Sequence, residues 1–104
     1  MPQFHTLAIK EINKESSSAV SILFDIPNDL KKTFEFTAGQ YVTIKTKVKG
    51  EEVRRAYSIC SSEKSGDLRI AIKAIENGLF SNYAYNDLKT GDAIEVAPPE
   101  GNFL

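Results

Sequence analysis

An alternation of apolar and polar residues with period two runs through most of this chain, and it points to strands that each bury one face. Val20, Ile22, Phe24 and Ile26 alternate with Ser21, Leu23 and Asp25. Val42 and Ile44 alternate with Thr43 and Lys45, and Leu68, Ile70 and Ile72 alternate with Arg69, Ala71 and Lys73. Ile94 and Val96 flank Glu95. Successive side chains of a strand point to opposite faces, so each run lines one face with hydrocarbon. An earlier strand is expected from Phe4 to Ile12, with Leu7 and Ile9 inward, and another starts near Val53 and carries Arg55. Turn-forming segments separate them: Asn13 to Ser18, Pro27 to Gly39, Lys49-Gly50 and Ser61 to Gly66. The long loop from Pro27 to Gly39 is expected to pack through Leu30, Phe34 and Phe36.

One segment changes period. Phe80, Ala84 and Leu88 recur four apart with Tyr83 beside them, which is one apolar face of a helix. Asn77-Gly78 punctuates its approach, and Gly91 suits its stop. One helix cannot cover a flat sheet on both faces, whereas closing the sheet on itself removes its edges. The expected fold is all-β: a six-stranded antiparallel Greek-key barrel with one short helix, near Leu79 to Leu88, between the last two strands.

The chain has 104 residues, enough for one domain. Thirteen basic and fourteen acidic side chains give a net charge of −1, which offers no reason to propose a nucleic-acid partner. No apolar run reaches membrane-spanning length, and the start Met1-Pro2-Gln3-Phe4-His5 lacks a signal peptide's basic and apolar regions, so a cytoplasmic location is expected. The single cysteine, Cys60, cannot form an internal disulfide or supply the roughly four ligands of an iron–sulfur cluster. His5 stands apart from any acidic or cysteine cluster in sequence, so no metal site is expected.

Two segments carry chemistry. Arg54-Arg55-Ala56-Tyr57-Ser58-Ile59-Cys60 puts a guanidinium, an aromatic ring and a hydroxyl within four residues of one strand. Arg55 offers a planar fork of donors to phosphate, Tyr57 a face for stacking, and Ser58 a small hydroxyl for a ring nitrogen. Arg55 and Tyr57 share a face and Ser58 points away, so one ligand meets all three only if the strand bends or its backbone contributes. An exposed strand with a surface arginine is the plainer reading of the same residues. In the second segment, Gly78-Leu79-Phe80-Ser81 opens the helix, where free N–H groups suit a phosphate. An ordinary capping serine at Ser81 is its plainer reading.

Together these segments resemble the flavin-binding domain of the ferredoxin–NADP reductase family, whose pattern is Arg-x-Tyr-Ser or Thr, a strand, then Gly-x-x-Ser opening a helix. Gly39-Gln40-Tyr41-Val42 is similar to the family's entry into its third strand, and Pro99-Glu100-Gly101-Asn102-Phe103 to its closing loop. Within the family the wording is similar to the reductase components of multicomponent oxygenases, of the phenylacetyl-CoA oxygenase type. The resemblance covers nearly the whole chain.

The resemblance implies an FAD-binding domain, with FMN the lesser alternative, in an NAD(P)H oxidoreductase that delivers electrons to an iron–sulfur acceptor. It implies that Arg55 binds the pyrophosphate, that Tyr57 stacks on the ring system next to Ala56, and that Ser58, the catalytic candidate, meets the redox edge. The backbone of Ala71, Ile72 and Lys73 would line the cofactor, and Gly78, Leu79, Phe80 and Ser81 would meet the pyrophosphate. The nicotinamide-binding and cysteine-rich ferredoxin domains of the family are expected to be absent from 1–104, leaving an isolated domain with weak flavin affinity and a tendency to self-associate through exposed apolar surface. Two other classes stay open: a small barrel that binds nucleic acid or oligosaccharide, and a docking domain whose flavin site has decayed.

Overall fold

The computed structural model describes residues 3–62, 64–73, 82–84 and 87–101. Six strands occur among them: β1 (His5–Lys14), β2 (Ala19–Asp25), β3 (Tyr41–Val48), β4 (Glu51–Ser58), β5 (Leu68–Lys73) and β6 (Ala93–Val96). All pairings are antiparallel, in the order β4-β3-β6-β1-β2-β5. Placing β6 between β3 and β1 gives the Greek-key path. The sheet curls until its two ends approach, and Ile59 bridges Ile70 just beyond β4. Beside that bridge, the Cys60 amide donates to the Arg69 carbonyl at 2.8 Å. The barrel closes there, while β4 along Glu51–Ser58 pairs only with β3 among the described residues.

The alternation explains the core. Leu7, Ile9, Val20, Ile22, Phe24, Val42, Ile44, Leu68, Ile70, Ile72, Ile94 and Val96 are all buried in one cluster. In the long loop, a 3-10 turn at Asn28–Leu30 leads to Phe34, which is buried and meets His5 edge-on at 5.7 Å between ring centroids. Leu30 and Phe36 pack against the same cluster. Residues 82–84 are helical, and the Asp87 amide donates to the Tyr83 carbonyl at 2.8 Å. Ala84 and Leu88 are buried and Tyr83 packs beside them, as their spacing requires; Phe80 lies outside the described residues.

Two details depart from simple alternation. Ser21 and Leu23 point away from the core yet are buried. Ser21 is covered by a polar network in which its hydroxyl donates to Glu15 Oε2 at 2.7 Å and accepts from Arg69 Nη1 at 3.2 Å. At the β3–β4 tip, Lys49 and Gly50 both take positive φ, 52° and 82°. That is the backbone a two-residue hairpin needs to match strand twist.

Candidate functional site

β4 is half embedded. Val53 is buried at its start, Arg54, Arg55 and Ala56 are exposed, and Tyr57 is half-buried against the core cluster. Across the ladder Arg55 faces Ile44 and Tyr57 faces Val42, both fully buried. Arg55 and Tyr57 therefore stand on the core side of the strand, where the barrel is not sealed. The two are electrically coupled: burial pushes the Tyr57 phenol above the ordinary tyrosine range, and the Arg55 charge partly offsets it. The Arg55 guanidinium donates through Nη1 to the Arg54 carbonyl at 2.8 Å and remains exposed.

Ser58 is exposed and belongs to the opposite face, together with Arg54 and Ala56. β4 is the last strand of the sheet. A ring laid against its free edge can meet side chains from both faces, which are separated only by the thickness of one strand.

On β5, Ala71 and Lys73 are exposed on the outer face, while Ile72 is buried in the core, so only its backbone can line a ligand. Gly78, Leu79, Phe80 and Ser81 lie outside the described residues.

Two motifs distant in sequence converge beside Ser58. Tyr41 faces Ser58 in the β3–β4 register and bridges Glu100 on its other side. Its hydroxyl donates to Glu100 Oε1 at 3.0 Å, and that carboxylate holds the phenol above its ordinary range. Gln40 Nε2 donates to the Gly101 carbonyl at 3.2 Å. Gly101 has φ of 101°, and a Cβ there would lie 2.7 Å from the Tyr41 ring. The loop that follows β6 is thus clamped to the start of β3 next to Ser58. The motifs were visible in the sequence as separate signatures; their contact was not.

A cleft of about 410 Å³ lies elsewhere, between the 27–40 loop and the β4–β5 loop, with Ile26, Phe34, Phe36 and Leu68 among its lining. It includes none of the expected site residues. The cleft has Lys31, Lys64, Phe34 and Phe36 in its lining, and the edge of β4 is taken as the candidate because it carries the Arg55, Tyr57 and Ser58 motif.

The sequence profile of the oxidoreductase FAD-binding domain matches residues 6–104. One component of the 1,2-phenylacetyl-CoA epoxidase of Escherichia coli is 42% identical over 103 residues, 99% of this chain and 29% of that protein. A flavohemoprotein of Candida albicans is 34% identical over 104 residues, 97% of this chain and 26% of its own length. Among solved structures, a phthalate dioxygenase reductase superposes with a TM-score of 0.77 at 28% identity, covering 97% of this chain and 31% of that one. The chain spans under a third of each of these proteins. With a barrel of the expected topology and a profile match over nearly its full length, the chain belongs to the oxidoreductase FAD-binding domain family.

Proposed function

We propose that the domain holds FAD along the free edge of β4, as one part of an NAD(P)H-dependent reductase that feeds an iron–sulfur acceptor and, through it, an oxygenase. The observation that carries this reading is the grouping of Arg55, Tyr57 and Ser58 on a strand that, among the described residues, pairs along its length only with β3. The exposed Arg55 fork suits the pyrophosphate, since a charge-assisted pair to phosphate is among the stronger hydrogen bonds. The half-buried Tyr57 ring gives the flavin a flat wall, and the Ser58 hydroxyl orients its redox edge. Bound flavin supplies the hydride and single-electron chemistry; the protein groups bind and position it. By the family resemblance, the backbone of Ala71, Ile72 and Lys73 would line the cofactor, and Gly78 to Ser81, outside the described residues, would meet its pyrophosphate.

The 42% identity to an epoxidase component supports the oxygenase branch. A second reading sends the electrons to a haem, and the 34% identity to a flavohemoprotein supports that one. A cytoplasmic location goes with either, because NAD(P)H is the donor in both.

Titrating FAD into the protein tests the reading. Flavin fluorescence should be quenched as Tyr57 stacks on the ring. Absence of quenching, both for this domain and for the same domain joined to a nicotinamide-binding domain, would overturn it.

A further inference from the structure

The free edge of β4 carries a charge sequence that complements itself. Its first five residues read Glu51-Glu52-Val53-Arg54-Arg55: two acids, an apolar centre and two arginines. The four charged residues are exposed and Val53 is buried. Consider two such strands paired antiparallel about a two-fold axis at Val53. Glu51 then falls opposite Arg55 of the partner subunit, and Glu52 opposite Arg54 of the partner subunit. Directly opposed residues share a face of the sheet, so the two-fold generates four acid–base pairs, two on each face. Moving the axis to Arg54 sets arginine against arginine, and moving it to Glu52 sets acid against acid. Like charges directly opposite are unfavourable, so charge alone selects the register centred on Val53.

In the single chain these charges meet one another and the backbone, contacts that the pairing exchanges for ones to the second copy. Arg54 Nε lies 3.2 Å from Glu52 Oε2, and the Arg55 guanidinium caps the Arg54 carbonyl. An exposed strand edge is a template for another strand, and charges usually guard it. Here the guarding charges repel most strands but match a second copy of this one.

We propose that, without flavin, β4 pairs antiparallel with β4 of a second copy in the register centred on Val53. A five-residue pairing is small beside the roughly 1,200–2,000 Å² of a stable interface, so the dimer forms at high protein concentration and is weakened by salt. A second consequence rests on the function proposed above. Arg55 is also the phosphate anchor of that site, so the flavin pyrophosphate and Glu51 of the partner subunit compete for one guanidinium. FAD then converts the dimer to monomer.

Sedimentation of the flavin-free chain at rising concentration tests this. Wild type should self-associate, while E51R/E52R and R54E/R55E should each stay monomeric, because one presents only positive and the other only negative charge on the edge. An equimolar mixture of the two variants should associate again, since their edges now complement each other. Circular dichroism melts check that both remain folded, and the single changes E51R and R55E, mixed in the same way, repeat the test with less perturbation. A monomeric wild type at millimolar concentration, variants that associate like wild type, or a mixture that fails to associate would each overturn the pairing. With FAD added and seen bound in the visible spectrum, wild type should become monomeric. A dimer that persists with FAD bound would overturn the competition for Arg55. If no FAD binds this chain, the same measurement on the domain joined to a nicotinamide-binding domain decides the competition, and the mixing experiment still decides the pairing.

Discussion

Ile59 and Ile70 join the two ends of the curled sheet in a single bridge just beyond β4, and Ile70 is fully buried there. The bridge turns a six-stranded sheet into a barrel, and it lies one residue past Ser58. Replacing Ile70 with Ala removes buried side-chain volume from the core and leaves the backbone groups of the bridge in place. The expected cost is about 2–5 kcal/mol, the usual range for truncating a core isoleucine to alanine. Urea unfolding should show a lower midpoint, and a loss below about 0.5 kcal/mol would mean that neighbouring core side chains fill the space.

Gly101 sits under the Tyr41 ring in a backbone conformation that side chains avoid. Gly101→Ala should therefore destabilise the domain, by about 1–2 kcal/mol for the left-handed backbone alone, with the crowded ring adding to it. A double-mutant cycle separates the two causes. In a Tyr41→Ala background the steric part disappears and the backbone part remains, so Gly101→Ala should cost less there. Equal costs in both backgrounds would show that the ring moves aside freely.

The strands were legible because alternation is a local property: Leu7, Ile9, Val42, Ile44, Leu68, Ile70 and Ile72 turned inward as their spacing demands. The helix was legible for the same reason through Ala84 and Leu88. Ser21 was not, because its cover comes from Arg69, on a strand 48 residues away. The reach of Ser58 was also hidden. Alternation alone sets it apart from Tyr57, and the position of β4 at the end of the sheet order, on which the proposed shared ligand depends, is a long-range property. The Tyr41–Glu100 contact joins residues 59 apart, and no local pattern encodes such a pairing. The candidate site residues rest on motif resemblance, and Gly78, Leu79, Phe80 and Ser81 lie outside the described residues.

The Tyr41–Glu100 hydrogen bond has an alkaline signature. The Glu100 carboxylate accepts a hydrogen bond from the phenol and repels a phenolate, so the Tyr41 pKa is raised in the folded chain. The folded state thus favours the protonated phenol. Its contribution to stability is fully present below the ordinary tyrosine pKa of about 10 and is lost as pH rises through the folded value. Ultraviolet titration of the folded protein should find tyrosines ionising late. Glu100→Gln should return one of them, Tyr41, toward the ordinary range while leaving Tyr57 raised by burial. An unchanged titration curve in Glu100→Gln would show that the bond does not persist in solution.

Substitutions along β4 should separate anchoring from orientation in the proposed flavin site. Arg55→Ala removes the phosphate fork and should weaken FAD binding most, by roughly 1.5–3 kcal/mol, the range for a hydrogen bond to a charged group. Arg55→Lys keeps the charge but not the planar geometry, so it should recover only part of the loss. Tyr57→Ala removes the stacking wall and should also weaken binding, by about 0.5–1.5 kcal/mol beyond the lost contact area. Ser58→Ala removes one exposed hydroxyl and should scarcely change affinity. In a chain joined to its nicotinamide-binding domain, it should instead slow flavin reduction, because the hydroxyl orients the redox edge rather than anchoring the cofactor. Fluorescence titration gives the affinities, and stopped-flow absorbance at the flavin band gives the reduction rate. Release of flavin by Ser58→Ala together with full retention by Arg55→Ala would reverse the assigned roles, and the edge of β4 would then bind its ligand the other way round.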